Sequence, residues 1–254
     1  MIEFAQETGA QLARWLIHLR REPLHLAFNL VQPVILLVFL GGAFQGLAQD
    51  STGGDYRTYL LPGILALTVF GNSMAGGIPL LFDKENGFLA RLMSAPISRS
   101  SILLSRFLAV NLATTLQCLI MLVLGLTFGI RIVTGVGGVA ALLTISLLLG
   151  FGVTVISLIL AFVVHSHGDF FAIMSVVALP VTFLSSAFVP LGSLPLWMQA
   201  AARVNPMTYA IDGMRSLILW GWDGPLLLQA GLLLLAFDMA MLWLGSYLLR
   251  RHLA

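Results

Sequence analysis

The chain has 254 residues, of which 59% are hydrophobic and only 9% are charged. Soluble domains carry about 25% charged residues, so this composition excludes both a water-exposed globule and a disordered chain. The net charge of +2 argues against a nucleic-acid-binding protein, and the single cysteine excludes a disulfide scaffold. An all-α integral membrane protein fits what remains.

Residues 1–22 are predicted to form an interfacial helix that lies flat on the membrane. Apolar side chains recur at helical spacing on one face, at Leu12, Trp15, Leu16 and Leu19. The opposite face carries basic side chains that suit the anionic cytoplasmic leaflet, namely Arg14, His18 and Arg21. Two interpretations stay open, a simple membrane anchor and a lever that couples a cytoplasmic partner to the first span.

Six stretches are apolar and long enough to cross a bilayer, which takes about 20 residues of helix. The predicted spans cover residues 25–48, 59–82, 107–130, 139–164, 170–190 and 225–249. The fourth is predicted to begin near Val139, because glycines precede it, and the fifth to end near Pro190. Nine of the 13 lysines and arginines then lie on the side of the two termini, which predicts cytoplasmic termini. Residues 1–254 are predicted to form one transmembrane domain.

The loop at residues 83–106, between the second and third spans, is predicted to lie in the cytoplasm. Phe88, Leu89 and Leu92 give a short apolar stripe at helical spacing, and Pro96 ends that helix. Ser98 or Ser100 can cap the next helix. Such an amphipathic helix suits a groove on a partner protein, and the alternative is a helix that lies on the membrane.

Reactive constellations are scarce in this sequence. The only lysine, Lys84, stands between Asp83 and Glu85, so no Gly-Lys-Ser/Thr phosphate loop is present. Zinc-binding His-Glu-x-x-His and Gly-x-Ser-x-Gly nucleophile motifs are also missing. The run His165-Ser166-His167-Gly168-Asp169 is the one candidate metal cluster, and a short polar turn between the fourth and fifth spans is the favoured interpretation. The sequence therefore predicts a chain that is not itself an enzyme.

The segment at residues 191–223 is too polar to span the membrane and too apolar for a free loop. Prolines break it into short pieces, which predicts two re-entrant helices on the external side. Asp212 and Arg215 stand three residues apart on one of these helices and can pair. The favoured interpretation is that this pair only fixes the fold of the segment, because an exposed pair contributes little binding energy.

Asp238 lies in the middle of the sixth predicted span. An intramembrane charge is costly, so Asp238 is a candidate polar site for a proton or a substrate. A packing residue that hydrogen-bonds another helix is the favoured alternative. An ion-gradient-driven secondary transporter that uses Asp238 is the second functional hypothesis, although such transporters usually hold several midplane ionisable groups.

Two motifs resemble those of type-2 ATP-binding-cassette (ABC) exporter permeases, the group of drug-resistance, nodulation-factor and polysaccharide exporters. The first is the cytoplasmic signature, carried by Glu85, Gly87, Phe88, Arg91, Leu92, Ser94, Pro96, Ser98 and Arg99. The second precedes the last span and is carried by Pro195, Asn205, Pro206, Tyr209, Asp212 and Arg215. Both lie in the order that the family shows, and the resemblance covers essentially the whole chain.

The resemblance implies a permease subunit in the cell (inner) membrane, working as a homodimer or a heterodimer. Two separate cytoplasmic ATPase subunits would drive it and would hold the ATP and magnesium, so that this chain binds no cofactor. The cytoplasmic signature would form the coupling helix that docks on the ATPase. An amphipathic or lipid-like small molecule or glycan is the expected substrate, because the spans offer few charges.

Overall fold

The computed structural model describes residues 2–21, 23–44, 55–88, 91, 99–164 and 166–253. The regular secondary structure of these residues is entirely helical. Ten α-helices are numbered here in chain order: α1 (Ile2–Arg21), α2 (Pro23–Ile35), α3 (Tyr56–Ala75), α4 (Ile78–Glu85), α5 (Arg99–Thr127), α6 (Gly135–Val163), α7 (His167–Phe183), α8 (Leu196–Val204), α9 (Pro206–Arg215) and α10 (Gly224–Leu253). Helix α2 continues through a π-helical stretch, Leu36–Leu40, and a last α-turn, Gly41–Ala43, while α9 continues into a second π-helical stretch, Ser216–Trp220.

Four helical stretches are long and apolar enough to cross a membrane: Tyr56–Glu85, Leu104–Thr127, Gly135–Val163 and Gly224–Leu248. They coincide with the second, third, fourth and sixth predicted spans, and they confirm the all-α membrane class. Shorter apolar helices occupy the first and fifth predicted spans, at Ala27–Ala43 and His167–Phe183. The end of the first predicted span lies outside the described residues, and the count of six spans stays a prediction.

Two predicted helix boundaries were wrong. The fourth span begins at Gly135 instead of Val139. The helix includes these glycines, and Gly138 leaves room for the Thr134 side chain, since a Cβ on Gly138 would come within 1.6 Å of Thr134 Oγ1. The Thr134 hydroxyl donates to Leu217 O at 2.7 Å, so the glycine makes room for a contact with residues 191–223. These residues are called the external segment here, after their predicted side of the membrane. The fifth span ends at Phe183 instead of near Pro190, because a side chain from the external segment binds the carbonyls at the end of α7.

Helices α3 and α6 form the centre of the bundle. Both are mostly buried, whereas α10 is mostly exposed and presents an apolar face to its surroundings. The core between α3 and α6 is built from aliphatic side chains such as Leu60, Ile64 and Leu149. In a bilayer, small residues let helix backbones approach closely, and Gly77 meets α6 in this way. Its N–H donates to Ser157 Oγ at 2.8 Å, and a Cβ on Gly77 would come within 2.4 Å of Ser157 O.

The amphipathic helix α1 packs against α5. Arg14, predicted to face lipid headgroups, also has partners within the protein, and its contact with lipid stays a prediction. Its guanidinium lies 5.0 Å from the ring centroid of Trp15 and 3.7 Å from Asp83 Oδ1, so it faces the start of the predicted cytoplasmic loop. Asp83 belongs to α4, so this ion pair connects α1 to the end of α4.

Candidate functional site

The predicted cytoplasmic loop begins at the end of α4. The start of α4 is hydrogen-bonded to α5 and α6. The turn Gly76–Gly77 separates α3 from α4. Arg106 Nε, from α5, donates to Gly76 O at 3.1 Å. Ser157, from α6, accepts from Gly77 N and donates to Met74 O. The helix that leads into the loop is therefore positioned by hydrogen bonds from α5 and α6.

Gly87 ends α4 and redirects the chain into the loop. Its φ of +69° lies in the left-handed region that favours glycine at the end of a helix. Helical backbone resumes at once, since Phe88 and Arg91 are helical and Arg91 N donates to Gly87 O at 3.3 Å. The glycine of the cytoplasmic signature thus has a physical role as the corner between α4 and the predicted amphipathic helix.

Arg14 joins α1 to this corner. Besides its ion pair with Asp83, its guanidinium lies 4.4 Å from the ring centroid of Phe88. Arg106 completes the cluster, because its guanidinium lies 3.9 Å from the ring centroid of Trp15. These cation–π contacts connect α1 to α5 and to the start of the loop. Helix α1 is therefore physically connected to the loop, which supports its interpretation as a lever.

The structure brings together only part of the predicted coupling set. Glu85, Gly87, Phe88 and Arg91 lie in the described residues at the corner after α4. Arg99 is the first residue of α5, and its side chain is not described. The remaining members lie outside the described residues: Leu92, Ser94, Pro96 and Ser98. Leu89 also lies outside the described residues, and Ser100, one of the two predicted caps of α5, is its second residue, with a side chain that is not described.

Lys84 and His167 were not predicted as coupling residues, and His167 was considered only as a member of the candidate metal cluster. Lys84 Nζ donates to Phe162 O and Val164 O, each at 2.9 Å, at the end of α6. His167 Nδ1, at the start of α7, lies 2.5 Å from Glu85 Oε1. No local sequence pattern predicts these contacts, because the two residues of each contact lie about 80 positions apart in the chain.

The polar run between α6 and α7 forms a helix cap in the structure. Ser166 accepts from Asp169 N at 3.1 Å and its hydroxyl donates to Asp169 Oδ2 at 2.8 Å. His165 lies outside the described residues. Among the residues that the structure describes, no group of three or more His, Cys, Asp or Glu side chains is arranged to hold a metal ion.

The predicted pair of Asp212 and Arg215 is present, at 3.2 Å between Oδ1 and Nη1. It is not the exposed pair that the sequence suggested, because the Arg215 side chain is only 3% exposed. Arg215 Nη2 also donates to Ser186 O at 2.7 Å, and the guanidinium lies 3.9 Å from the Tyr59 ring centroid. Burial raises the pKa of the Asp212 carboxyl above its ordinary value, whereas the hydrogen bond from Ser186 and the charge of Arg215 act in the opposite direction.

Asn205 holds two helix ends together. Its side-chain amide donates to Val181 O and Leu184 O, each at 2.7 Å, where α7 ends. Its side-chain oxygen accepts from Met207 N at 3.0 Å and so caps α9, which begins at Pro206. Proline suits this first helical position because its missing N–H needs no partner there. The Asn-Pro pair of the second motif therefore builds the external segment.

Pro195 and Tyr209, the other members of this motif, also have structural roles. Pro195 stands immediately before α8, and Tyr209 Oη donates to Arg203 O at 2.6 Å. The chain between α7 and α8 is not helical at residues 184–189, and Tyr56 Oη donates to Phe188 O there at 2.8 Å. Non-helical backbone at membrane depth needs such partners, because lipid cannot supply hydrogen bonds. Two short helices follow, as predicted, and their depth in the membrane stays a prediction.

Asp238 is buried between α10 and α6, with 4% of its surface exposed. Gly152 provides the space, since a Cβ at that position would come within 2.7 Å of Asp238 Oδ1 and 2.4 Å of the Phe237 ring. The carboxyl therefore lies in a notch between two helices. Its role as a polar site stays a hypothesis.

Comparison with known proteins identifies the family. The family model described as ABC-2 type transporter matches residues 6–219. The chain belongs to the ABC-2 type transporter family. It is therefore a multi-pass membrane protein and an ABC transporter permease, and the resemblance that its two motifs indicated is confirmed.

Individual relatives of this ABC-2 chain carry transport names. It is 35% identical over 216 residues to the putative transport permease ycf38 of Porphyra purpurea, covering 84% of this chain and 74% of that protein. It is 29% identical over 222 residues to the probable doxorubicin resistance ABC transporter permease protein DrrC of Mycobacterium tuberculosis, covering 86% of this chain and 79% of that protein. The daunorubicin resistance ABC transporter permease protein DrrB1 of Streptomyces coeruleorubidus is 28% identical over 211 residues, covering 83% of this chain and 74% of that protein.

Proposed function

We propose that this chain is the membrane permease subunit of an ATP-driven exporter. Two copies, or this chain and a related one, form the pathway, and two separate cytoplasmic ATPase subunits supply the energy. The match of the family model to residues 6–219 carries the proposal, since it covers most of the chain. ATP and magnesium belong to the ATPase, in keeping with a sequence whose only lysine lies outside any phosphate loop.

The coupling site proposed here is the corner after α4 together with the loop that follows it. Its residues are Glu85, Gly87, Phe88, Arg91, Leu92, Ser94, Pro96, Ser98 and Arg99. The contacts of Arg14 with Asp83 and Phe88 support the proposal, because they connect the corner to α1. In this mechanism, closure of the ATPases displaces the coupling loop, the spans rock, and the pathway opens outward.

The proposed substrate is an amphipathic or lipid-like small molecule or glycan. Two relatives are named for resistance to doxorubicin or daunorubicin, which supports an amphipathic compound. The described helices that line the bundle hold few charged side chains, which disfavours a highly charged substrate. We place the chain in the cell (inner) membrane with both termini in the cytoplasm, on the distribution of its basic residues.

An Arg91→Glu variant tests the proposal against a matched control, Arg131→Glu. Both arginines are exposed, and Arg131 lies on the side of the membrane predicted to face away from the ATPase. A cysteine at Ser193, in the external segment, reports outward motion through its labelling by an impermeant maleimide. Ser193 is exposed, and replacing Cys118 with alanine removes the only native thiol.

We expect Arg91→Glu to insert normally and to lose the ATP-dependent change in labelling, while Arg131→Glu keeps it. Normal coupling in Arg91→Glu would contradict the coupling site. A chain that copurifies with no ATPase would contradict the exporter itself, and would direct attention to Asp238 and a transporter driven by an ion gradient.

A further inference from the structure

Helix α4, which leads into the coupling loop, is packed against the ends of two helices other than α3. An apolar cluster, separate from the main core, joins them: Leu80, Leu81, Leu158, Ala161, Val164 and Phe170. Two of these side chains come from α4, two from the end of α6, one from the residue after α6 and one from the start of α7. Buried apolar contact of this kind resists separation of the three helix ends.

Lys84 adds a polar connection between α4 and α6. Its ammonium group donates to Phe162 O and Val164 O at 2.9 Å, where the last carbonyls of α6 lack partners within their own helix. A cation at a helix C-terminus also interacts favourably with the helix dipole. Lys84 thus caps the C-terminal end of α6, where its partner Phe162 lies 78 residues further along the chain.

The next residue connects α4 to α7. Glu85 Oε1 lies 2.5 Å from His167 Nδ1 in the first turn of α7. The His167 ring also packs on Phe82, with 4.1 Å between ring centroids. Each successive turn of α4 therefore contacts the α6–α7 junction.

The helix is interrupted between α3 and α4. The helical hydrogen-bond ladder stops at Gly76–Gly77, where Gly76 N donates to Ser73 O instead of continuing the α-helical pattern. Gly77 itself is bound to Ser157 of α6. An interrupted ladder is a usual place for a helix to bend.

We infer that α4, the end of α6 and the start of α7 move as one rigid block, with Lys84, Glu85 and His167 as positioning residues. A displacement of the coupling loop then reaches the fourth and fifth predicted spans directly, besides the path through α3. The inference rests on the proposed function only for the source of the displacement, which is the ATPase.

Lys84→Met tests the connection to α6, with Lys84→Arg as the conservative control. In the purified complex with its ATPase, we expect Lys84→Met to hydrolyse ATP and to keep its bound ATPase. The ATP-dependent change in labelling at a Ser193→Cys reporter falls several-fold, because that segment follows α7. Lys84→Arg restores it. If Lys84 only stabilised the fold, Lys84→Met would lower the yield of the complex. The complex that remained would show ATP hydrolysis and the labelling change in their usual proportion.

A cross-linking test distinguishes a rigid block from a contact that opens in each cycle. Phe82→Cys and His167→Cys, combined in a Cys118→Ala background, place one thiol on each side of the contact between α4 and α7 and leave Glu85 in place. A short bis-methanethiosulfonate reagent joins the two thiols. We expect the cross-linked pair to hydrolyse ATP at the rate of the unlinked pair, with each single cysteine variant as a control. Inhibition by the reagent that a reductant reverses would overturn the inference. So would an unchanged labelling signal in Lys84→Met, or no ATP-dependent signal in the unmodified reporter while hydrolysis continues.

Failure of the proposed function has a different signature. The cross-link can be formed in the purified chain without any ATPase. If the pair cross-links but no ATPase binds, the exporter proposal fails while the contact between α4 and α7 stands. If the pair does not cross-link in the chain alone, the block itself is refuted.

Discussion

Replacement of Arg215 by methionine tests whether the external segment is held by a buried cation. Methionine keeps much of the apolar volume and removes three interactions at once: the ion pair with Asp212 at 3.2 Å, the hydrogen bond to Ser186 O at 2.7 Å, and the stacking 3.9 Å from the Tyr59 ring centroid. We expect the free energy of unfolding to fall, because the partly buried Asp212 carboxyl and the Ser186 carbonyl each lose a donor.

The size of this loss of unfolding free energy follows from how deeply the two side chains are buried. Removing one partner of a buried ion pair costs about 3–5 kcal/mol. The Arg215 side chain is 3% exposed, but the Asp212 side chain is 34% exposed, so water can partly replace the lost donor. We therefore expect about 3 kcal/mol, at the lower end of that range.

A double-mutant cycle with Asp212→Asn isolates the pair. The double variant is expected to be more stable than the sum of the single losses by about 1–2 kcal/mol, since the carboxylate left behind in Arg215→Met is gone. Equilibrium unfolding in mixed detergent micelles measures all four proteins. Strict additivity, or a loss in Arg215→Met below about 0.5 kcal/mol, the usual size of a surface change, would refute the reasoning.

Four further predictions follow from the described contacts. Gly87→Ala is expected to cost about 1–2 kcal/mol of unfolding free energy, because its φ of +69° is left-handed, and a cost near zero would show that the corner relaxes. Arg14→Ala is expected to raise protease cleavage after α4, because Asp83 and Phe88 lose their tie to α1; equal cleavage in both proteins would contradict this. Asn205→Ala is expected to cost about 2 kcal/mol, at the upper end for a lost helix cap because two helix ends lose a partner, and full stability would contradict its double role. A cysteine at Ser193 is expected to react with an impermeant reagent from outside and one at Ser98 is not; the reverse pattern would overturn the topology.

The sequence could predict those features that depend on neighbours along the chain. Four apolar runs were long enough to identify as membrane helices, because hydropathy over about 20 residues is a local property. The Asp212–Arg215 pair followed from spacing of three residues on one helix. The two short external helices followed from prolines at their starts.

Features that depend on distant partners could not be predicted in this way. The glycines at 135–138 were interpreted as helix breakers, yet the helix includes them, and Gly138 leaves room for Thr134, whose hydroxyl binds Leu217 O 83 residues away. Arg14 was assigned to lipid headgroups, because Asp83 and Phe88 belong to another element. Lys84 was noticed only as evidence against a phosphate loop, whereas its hydrogen bonds reach carbonyls 78 and 80 residues away.

The central claim is that this chain is driven by a separate ATPase. Purification of the tagged chain from its native membrane in mild detergent, followed by mass spectrometry of what remains bound, tests it most directly. We predict a near-stoichiometric soluble protein that carries a phosphate loop. A chain that repeatedly comes down alone, in several detergents, would contradict the account.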